Sequence, residues 1–394
     1  MKRPLKRSIV GAIAVLSLLI PSVAQADEWR QYQYDAAGSG FNPNEVTISP
    51  DNANRWRVRW SKHPTATRTF RSDPLIDEDS VYVAGYQDGG AEKVALWSFD
   101  LATGHLNWVT RMPCAAFYPH LIMGDGVIVV TNLDDDSRCA DGLDWTFFVD
   151  TETGDKKRMR DGGLWGATMI DGDTAVTARL KTFELATRTF GPQIGEPVSE
   201  EFHSTTTTYP LRIVDQEAWL VADERPSPNP RVVVSDGIAV MAGATKAQGV
   251  PLDGSPITHY GSCPSDPLLS CAVDIETHEI LWTAKSDYPI AHEGVLYGGC
   301  PNLCARNLHT GEVIWSADVA SSGPLILAGG VLWVRLWTDS TATIRGYDPA
   351  TGALLTRRPF TQQMGPAGGS AMAVANGYLV SSRPSLRVVS FDRS

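Results

Sequence analysis

Trp97-Ser98-Phe99-Asp100-Leu101-Ala102-Thr103-Gly104-His105-Leu106-Asn107-Trp108 is an apolar run, an acidic residue, Thr-Gly and then a tryptophan. The phrase returns at Phe148-Val149-Asp150-Thr151-Glu152-Thr153-Gly154, and at Cys271-Ala272-Val273-Asp274-Ile275-Glu276-Thr277-His278 running to Trp282. Cys304 to Trp315, with Asn307 and Thr310-Gly311, is another copy, and so is Gly346-Tyr347-Asp348-Pro349-Ala350-Thr351-Gly352. A weaker copy sits at Thr182–Thr187, and a truncated one ends at Val389-Ser390-Phe391-Asp392. Such recurrence means one supersecondary unit stacked many times.

A second half precedes each Thr-Gly turn. Leu121-Ile122-Met123-Gly124-Asp125-Gly126-Val127-Ile128-Val129-Val130 and Val232-Val233-Val234-Ser235-Asp236-Gly237-Ile238-Ala239-Val240-Met241 are β-rich runs broken by Asp-Gly, a strong hairpin signal. With the Thr-Gly hairpin, one unit becomes four short antiparallel strands. Most intervals between the acidic landmarks fit one propeller blade of roughly 40–50 residues. Glu184 to Asp274 is about twice that, so residues 190–230 are an insertion or a degenerate blade. Seven hairpin signatures and seven landmarks favour seven blades, with eight as the alternative. The last copy lacks a fourth strand, whereas Trp56-Arg57-Val58-Arg59-Trp60 is a strand without a first three. Pairing the two closes the ring and removes its exposed edges. The expected fold is all-β: a single propeller over residues 56–394, behind a lead-in at 27–55.

Lys2, Arg3, Lys6 and Arg7 precede an apolar stretch from Ile9 to Ile20 and then Ala24-Gln25-Ala26, the pattern of a signal peptide cleaved before Asp27. The stretch is shorter than the roughly 20 residues that span a bilayer, so a secreted product without a membrane span is expected. The formal net charge of −11 and the lack of clustered cations argue against nucleic acid as a partner. Six cysteines in a secreted chain read as disulfides, paired by local spacing as Cys114–Cys139, Cys263–Cys271 and Cys300–Cys304.

The phrase A-x-D-x-x-T-G-x-x-x-W, carried best by Ala272-Val273-Asp274, Thr103-Gly104 with Trp108, and Thr310-Gly311 with Trp315, resembles the pyrrolo-quinoline-quinone-type β-propeller repeat. The opening from Trp29 to Pro43 is similar to the lead-in that many such proteins place before their first blade. The family includes quinoprotein dehydrogenases and non-enzymatic secreted relatives. For an enzyme, the resemblance implies an adjacent-cysteine disulfide over the quinone, Ca²⁺ held by carboxylate and amide oxygens, and an Asp base.

No Cys-Cys pair occurs here, and no catalytic or metal motif stands out, so no catalytic residue or cofactor is assigned. The repeat residues are explained by packing: Trp between blades, Asp tying the turn, Gly adopting a left-handed conformation. The sequence is therefore read as a secreted, monomeric, non-catalytic propeller that binds a protein or a cell-surface polysaccharide. The alternative is a quinone- and Ca-dependent sugar or alcohol dehydrogenase. The candidate channel-mouth residues precede or open first strands: Arg71, Asp73, Tyr118, His120, Trp165 and Tyr288.

Overall fold

The computed structural model describes residues 27–35, 38–63, 68–87, 94–112, 119–132, 146–159, 168–171, 174–177, 181–193, 211–214, 217–223, 232–242, 245–251, 259–263, 269–285, 289–300, 302–319, 323, 325–338, 341–356, 360–363, 371–382 and 385–392. Their regular structure is all β-strand. The strands form eight sheets, each built on four antiparallel strands. In ring order these are blade 1 (68–112), blade 2 (119–159), blade 3 (168–193), blade 4 (211–223 with 245–262), blade 5 (232–242 with 270–284), blade 6 (290–316), blade 7 (326–363) and blade 8 (372–391 with 56–62). Their first strands stand side by side in a closed circuit, with Phe41–Asn42 inserted between those of blades 6 and 7.

The ring closes as the sequence predicts. Trp56–Lys62 pairs antiparallel with Leu386–Phe391, with Trp56 opposite Phe391 and Trp60 opposite Val388. The apolar layers between blades form the core. The largest packs blades 7, 8 and 1 together through residues such as Trp97, Phe99, Trp333, Val380 and Phe391.

The count is eight, the alternative to the favoured seven, and interleaving conceals the extra blade. Leu211–Val214 and Glu217–Asp223 begin blade 4. The chain then builds the first hairpin of blade 5, returns at Thr245–Pro251 to pair with Glu217–Asp223, and later resumes blade 5 at Ser270–Asp274. The described part of the 190–230 segment beyond residue 193 is thus half a blade, whose partners lie downstream of a hairpin belonging to its neighbour.

A tryptophan stitches consecutive blades at four interfaces. Trp60 Nε1 donates to Leu101 O at 2.9 Å, Trp108 Nε1 to Thr151 O at 3.0 Å, Trp282 Nε1 to Leu308 O at 2.8 Å, and Trp315 Nε1 to Pro349 O at 2.8 Å. Each acceptor follows the landmark Asp or Asn of the next blade. Each indole covers that blade's Thr-Gly glycine so closely that a Cβ on Gly104, Gly154, Gly311 or Gly352 would lie 2.5, 2.7, 2.6 or 2.5 Å from it. A register shift beside each tryptophan marks a β-bulge, which re-aims the side chain. Where the glycine is replaced, by Arg188 (φ 57°) or His278 (φ 64°), the preceding blade's fourth strand, Lys156–Met159 or His259–Ser262, carries no tryptophan.

The landmark carboxylates are turn staples. Asp100, Asp150, Asp274 and Asp348 each accept from the Thr N–H three residues on, at 2.7–2.9 Å, and Asn307 accepts likewise from Thr310. The Thr153 N–H holds the Asp150 carboxyl below its usual range, and the Thr277 N–H does the same for Asp274. Cys263–Cys271 and Cys300–Cys304 are bonded as expected, with Cα–Cα distances of 5.8 and 6.0 Å. Cys114 and Cys139 lie outside the described residues.

Candidate functional site at the open end of the ring

The two ends of the ring differ, because the lead-in lies across one of them. Trp29 pairs with Ile76 of blade 1 through two backbone bonds of 2.8 and 3.0 Å. The Arg30 carbonyl accepts from Met123 N of blade 2 at 2.8 Å. The Gln31 amide clamps Ile170 of blade 3, donating to its O and accepting from its N, both at 2.8 Å. The chain then turns back. Phe41 stacks on His292 of blade 6 with ring centroids 3.7 Å apart, and Phe41–Asn42 pairs parallel with Leu327–Ala328 of blade 7. Asn42 Nδ2 donates to Val374 O of blade 8 at 2.7 Å and to Asp27 Oδ1 at 2.8 Å.

Buried carboxylates anchor this segment. Asp27 also accepts from Asn376 N, while Glu45 accepts from Thr47 N and Ile48 N through one oxygen and from Gly377 N through the other. Asp77, half-buried in blade 1, accepts from the Tyr82 hydroxyl of the same blade at 2.5 Å. Burial pushes Asp27, Glu45 and Asp77 above the usual carboxylate range, and pushes the Tyr34 hydroxyl up to about 12. All these contacts fall where first strands finish, so among the described residues the end where they begin is the one the lead-in leaves open.

Arg71, Asp73 and His120 stand at that open end, on neighbouring blades. Arg71 and Asp73 interrupt the first strand of blade 1 between Arg68–Phe70 and Leu75–Ile76. Arg71 N and Ser72 N both donate to Ala84 O, and the Arg71 guanidinium lies 4.9 Å from the Tyr86 ring centroid. The Ser382 hydroxyl donates to Ser72 O at 2.9 Å, tying blade 8 to blade 1 there. Tyr118, Trp165 and Tyr288 lie outside the described residues.

His120 belongs to a polar row that the sequence reading missed. It sits directly opposite Thr131, so both side chains project from one face of blade 2. Strand alternation puts Thr146 on that same face, because Phe148, two residues on, shares the layer of Ile122 and Val129 against blade 3. His120, Thr131 and Thr146 are 8%, 0% and 0% exposed, and they continue the apolar layer between blades 2 and 3 toward the open end. The Thr131 hydroxyl has no hydrogen-bond partner, and neither has the buried Nε of Arg71. A buried polar atom left unpaired costs about 1–3 kcal/mol, so native structures rarely keep one without use. The available signal was a Thr at each end of strong apolar runs, after Val127–Val130 and before Phe147–Val149. A second overlooked polar group is Arg335, 1% exposed within the apolar strand Val331–Thr338.

No family model matches the sequence. One curated relative is the 1-butanol dehydrogenase (cytochrome c) of Thauera butanivorans, 34% identical over 83 residues, which are 20% of this chain and 12% of that protein. The quinohemoprotein alcohol dehydrogenase of Comamonas testosteroni superposes with a TM-score of 0.60 at 10% identity, over 93% of this chain and 80% of that one. A europium-containing methanol dehydrogenase superposes with a TM-score of 0.58 at 11% identity, over 92% and 98% of the two chains. The fold is that of the quinoprotein alcohol dehydrogenases.

These relatives correct the expectation of a non-catalytic scaffold for a protein or polysaccharide, because each is named as an alcohol dehydrogenase. The physical reason is that packing accounts for the repeat residues, and those residues do not line the open end. The donors for a quinone–Ca²⁺ site do not fit among the described residues, where no three His, Cys, Asp or Glu side chains converge. The sequence also holds no adjacent cysteine pair.

Proposed function

We propose that the chain is an extracytoplasmic dehydrogenase of small alcohols or sugars, acting at the open end of the ring. The observation that carries this is the row of His120, Thr131 and Thr146, with its unpaired Thr131 hydroxyl, in a fold whose relatives oxidise alcohols. Thr131 and Thr146 are fully buried between blades 2 and 3, so within this row His120, 8% exposed, is the group that could take the proton of a substrate hydroxyl at the open end. Alcohol oxidation also releases an electron pair, for which an acceptor is required. Because the described donors do not assemble the quinone and Ca²⁺ site, no step is derived through those groups. The signal-like segment before Asp27 supports the compartment, and no described helix is long and apolar enough to cross a membrane.

Replacing Arg71 and His120 jointly by Ala tests the placement. Alcohol-dependent dye reduction should be abolished with little change in melting temperature. Unchanged activity would move the site away from blades 1 and 2.

A further inference from the structure

The ring-closing blade differs from its neighbours in a way that leaves a cavity. In blades 1, 2, 5 and 7 the landmark carboxylate accepts from the Thr N–H of the turn that leads into the fourth strand. In blade 8 the fourth strand is Trp56–Lys62, which arrives from the lead-in, so no such turn fills the space. Asp392, at the landmark position, turns to Arg57 instead, with Nη2 to Oδ1 at 3.0 Å. A cavity of about 280 Å³ results, lined by Arg57, Arg59, Asn376, Tyr378, Ser390 and Asp392 among others. It opens on the end of the ring that the lead-in covers, opposite the proposed catalytic end.

The lining is chemically pointed. Arg57 and Arg59 lie two residues apart on the closing strand of a chain whose formal charge is −11. Arg57 is balanced by Asp392, whereas no ion pair among the described residues engages Arg59, which sits at the register shift between Val58 and Trp60. Ser390, 5% exposed, has a hydroxyl with no hydrogen-bond partner. One uncompensated guanidinium, a second held by a carboxylate, an orphaned hydroxyl and a half-buried phenol suit an oxyanion better than a neutral or cationic ligand.

We infer that this seam cavity binds a small oxyanion, a carboxylate or phosphate borne by a molecule no larger than a monosaccharide. The inference does not depend on the dehydrogenase reading, and neither arginine belongs to the catalytic end. Calorimetric titration of the full-length protein with inorganic phosphate, D-gluconate and D-glucose tests it. At least one anion should bind and glucose should not; phosphate alone would assign a phosphate ligand, and gluconate alone a carboxylate. Arg59→Gln should weaken binding roughly tenfold or more, the loss of one charge-assisted contact, and Ser390→Ala should weaken it severalfold. Arg59 is exposed, so the melting temperature of Arg59→Gln should match wild type, and Arg59→Lys should retain part of the affinity. Absence of binding by both anions, or unchanged affinity in Arg59→Gln, would overturn the inference.

Discussion

Trp60 and Gly104 meet across the seam of the ring: a Cβ on Gly104 would lie 2.5 Å from the indole, and Trp60 Nε1 donates to Leu101 O in the same turn. Trp60 lies on the strand supplied by the N-terminal segment, and Gly104 lies in the next blade. The contact therefore joins ring closure to blade docking. Gly104 meets two requirements at once, since its φ is 71° and its missing side chain is the indole's seat.

Gly104→Ala should cost about 2–5 kcal/mol, combining a left-handed alanine with overpacking against Trp60. Trp60→Ala should cost about 3–5 kcal/mol. In the Trp60→Ala background the glycine change should cost only its backbone share of about 1–2 kcal/mol. Urea unfolding of the four proteins reads the coupling, and additive losses would contradict direct docking.

Removing the lead-in and the strand Trp56–Lys62 should abolish a folded monomer. That deletion exposes the edge of Leu386–Phe391 and leaves Asn376 and Gly377 without their carboxylate partners. A cooperative melting transition in a chain beginning at residue 66 would contradict the closure scheme.

Peptide mapping of unreduced protein should recover Cys263–Cys271 and Cys300–Cys304 as local bridges. Alkylation of all four thiols before reduction would contradict both pairings.

Burial holds Glu45 above the ordinary carboxylate range. Between its unfolded and folded pKa values the native state keeps a proton that the unfolded state releases. This group's contribution is therefore fully present at low pH and falls as pH rises through the raised value. Glu45→Gln cannot titrate, so the stability advantage of wild type over this variant should shrink from about pH 4 upward. A difference that stays flat or grows over that range would contradict the assignment.

The sequence made the blades legible where two signals coincide. Asp100 with Thr103-Gly104, and Trp108 at a fixed spacing, report a turn and its docking partner together. Trp56–Trp60 could be matched to Phe391 because each lacked what the other supplied. Blade 4 was obscured because Glu217–Asp223 pairs with Thr245–Pro251 across a hairpin of another blade, so adjacency in sequence misleads. The lead-in's role was invisible for a related reason: Asp27, Asn42 and Glu45 find partners at Val374, Asn376 and Gly377, and no local pattern announces contacts of that span. Of the site, His120 was legible as an ionisable group opening a first strand. Thr131 and Thr146 were not, because their alignment with it depends on strand register.

Catalysis at the open end is tested most directly by supplying the purified protein with 1-butanol and an acceptor dye. The expected result is dye reduction that depends on the alcohol and is lost in the Arg71→Ala/His120→Ala protein. No dye reduction with primary alcohols or aldoses would contradict the dehydrogenase reading.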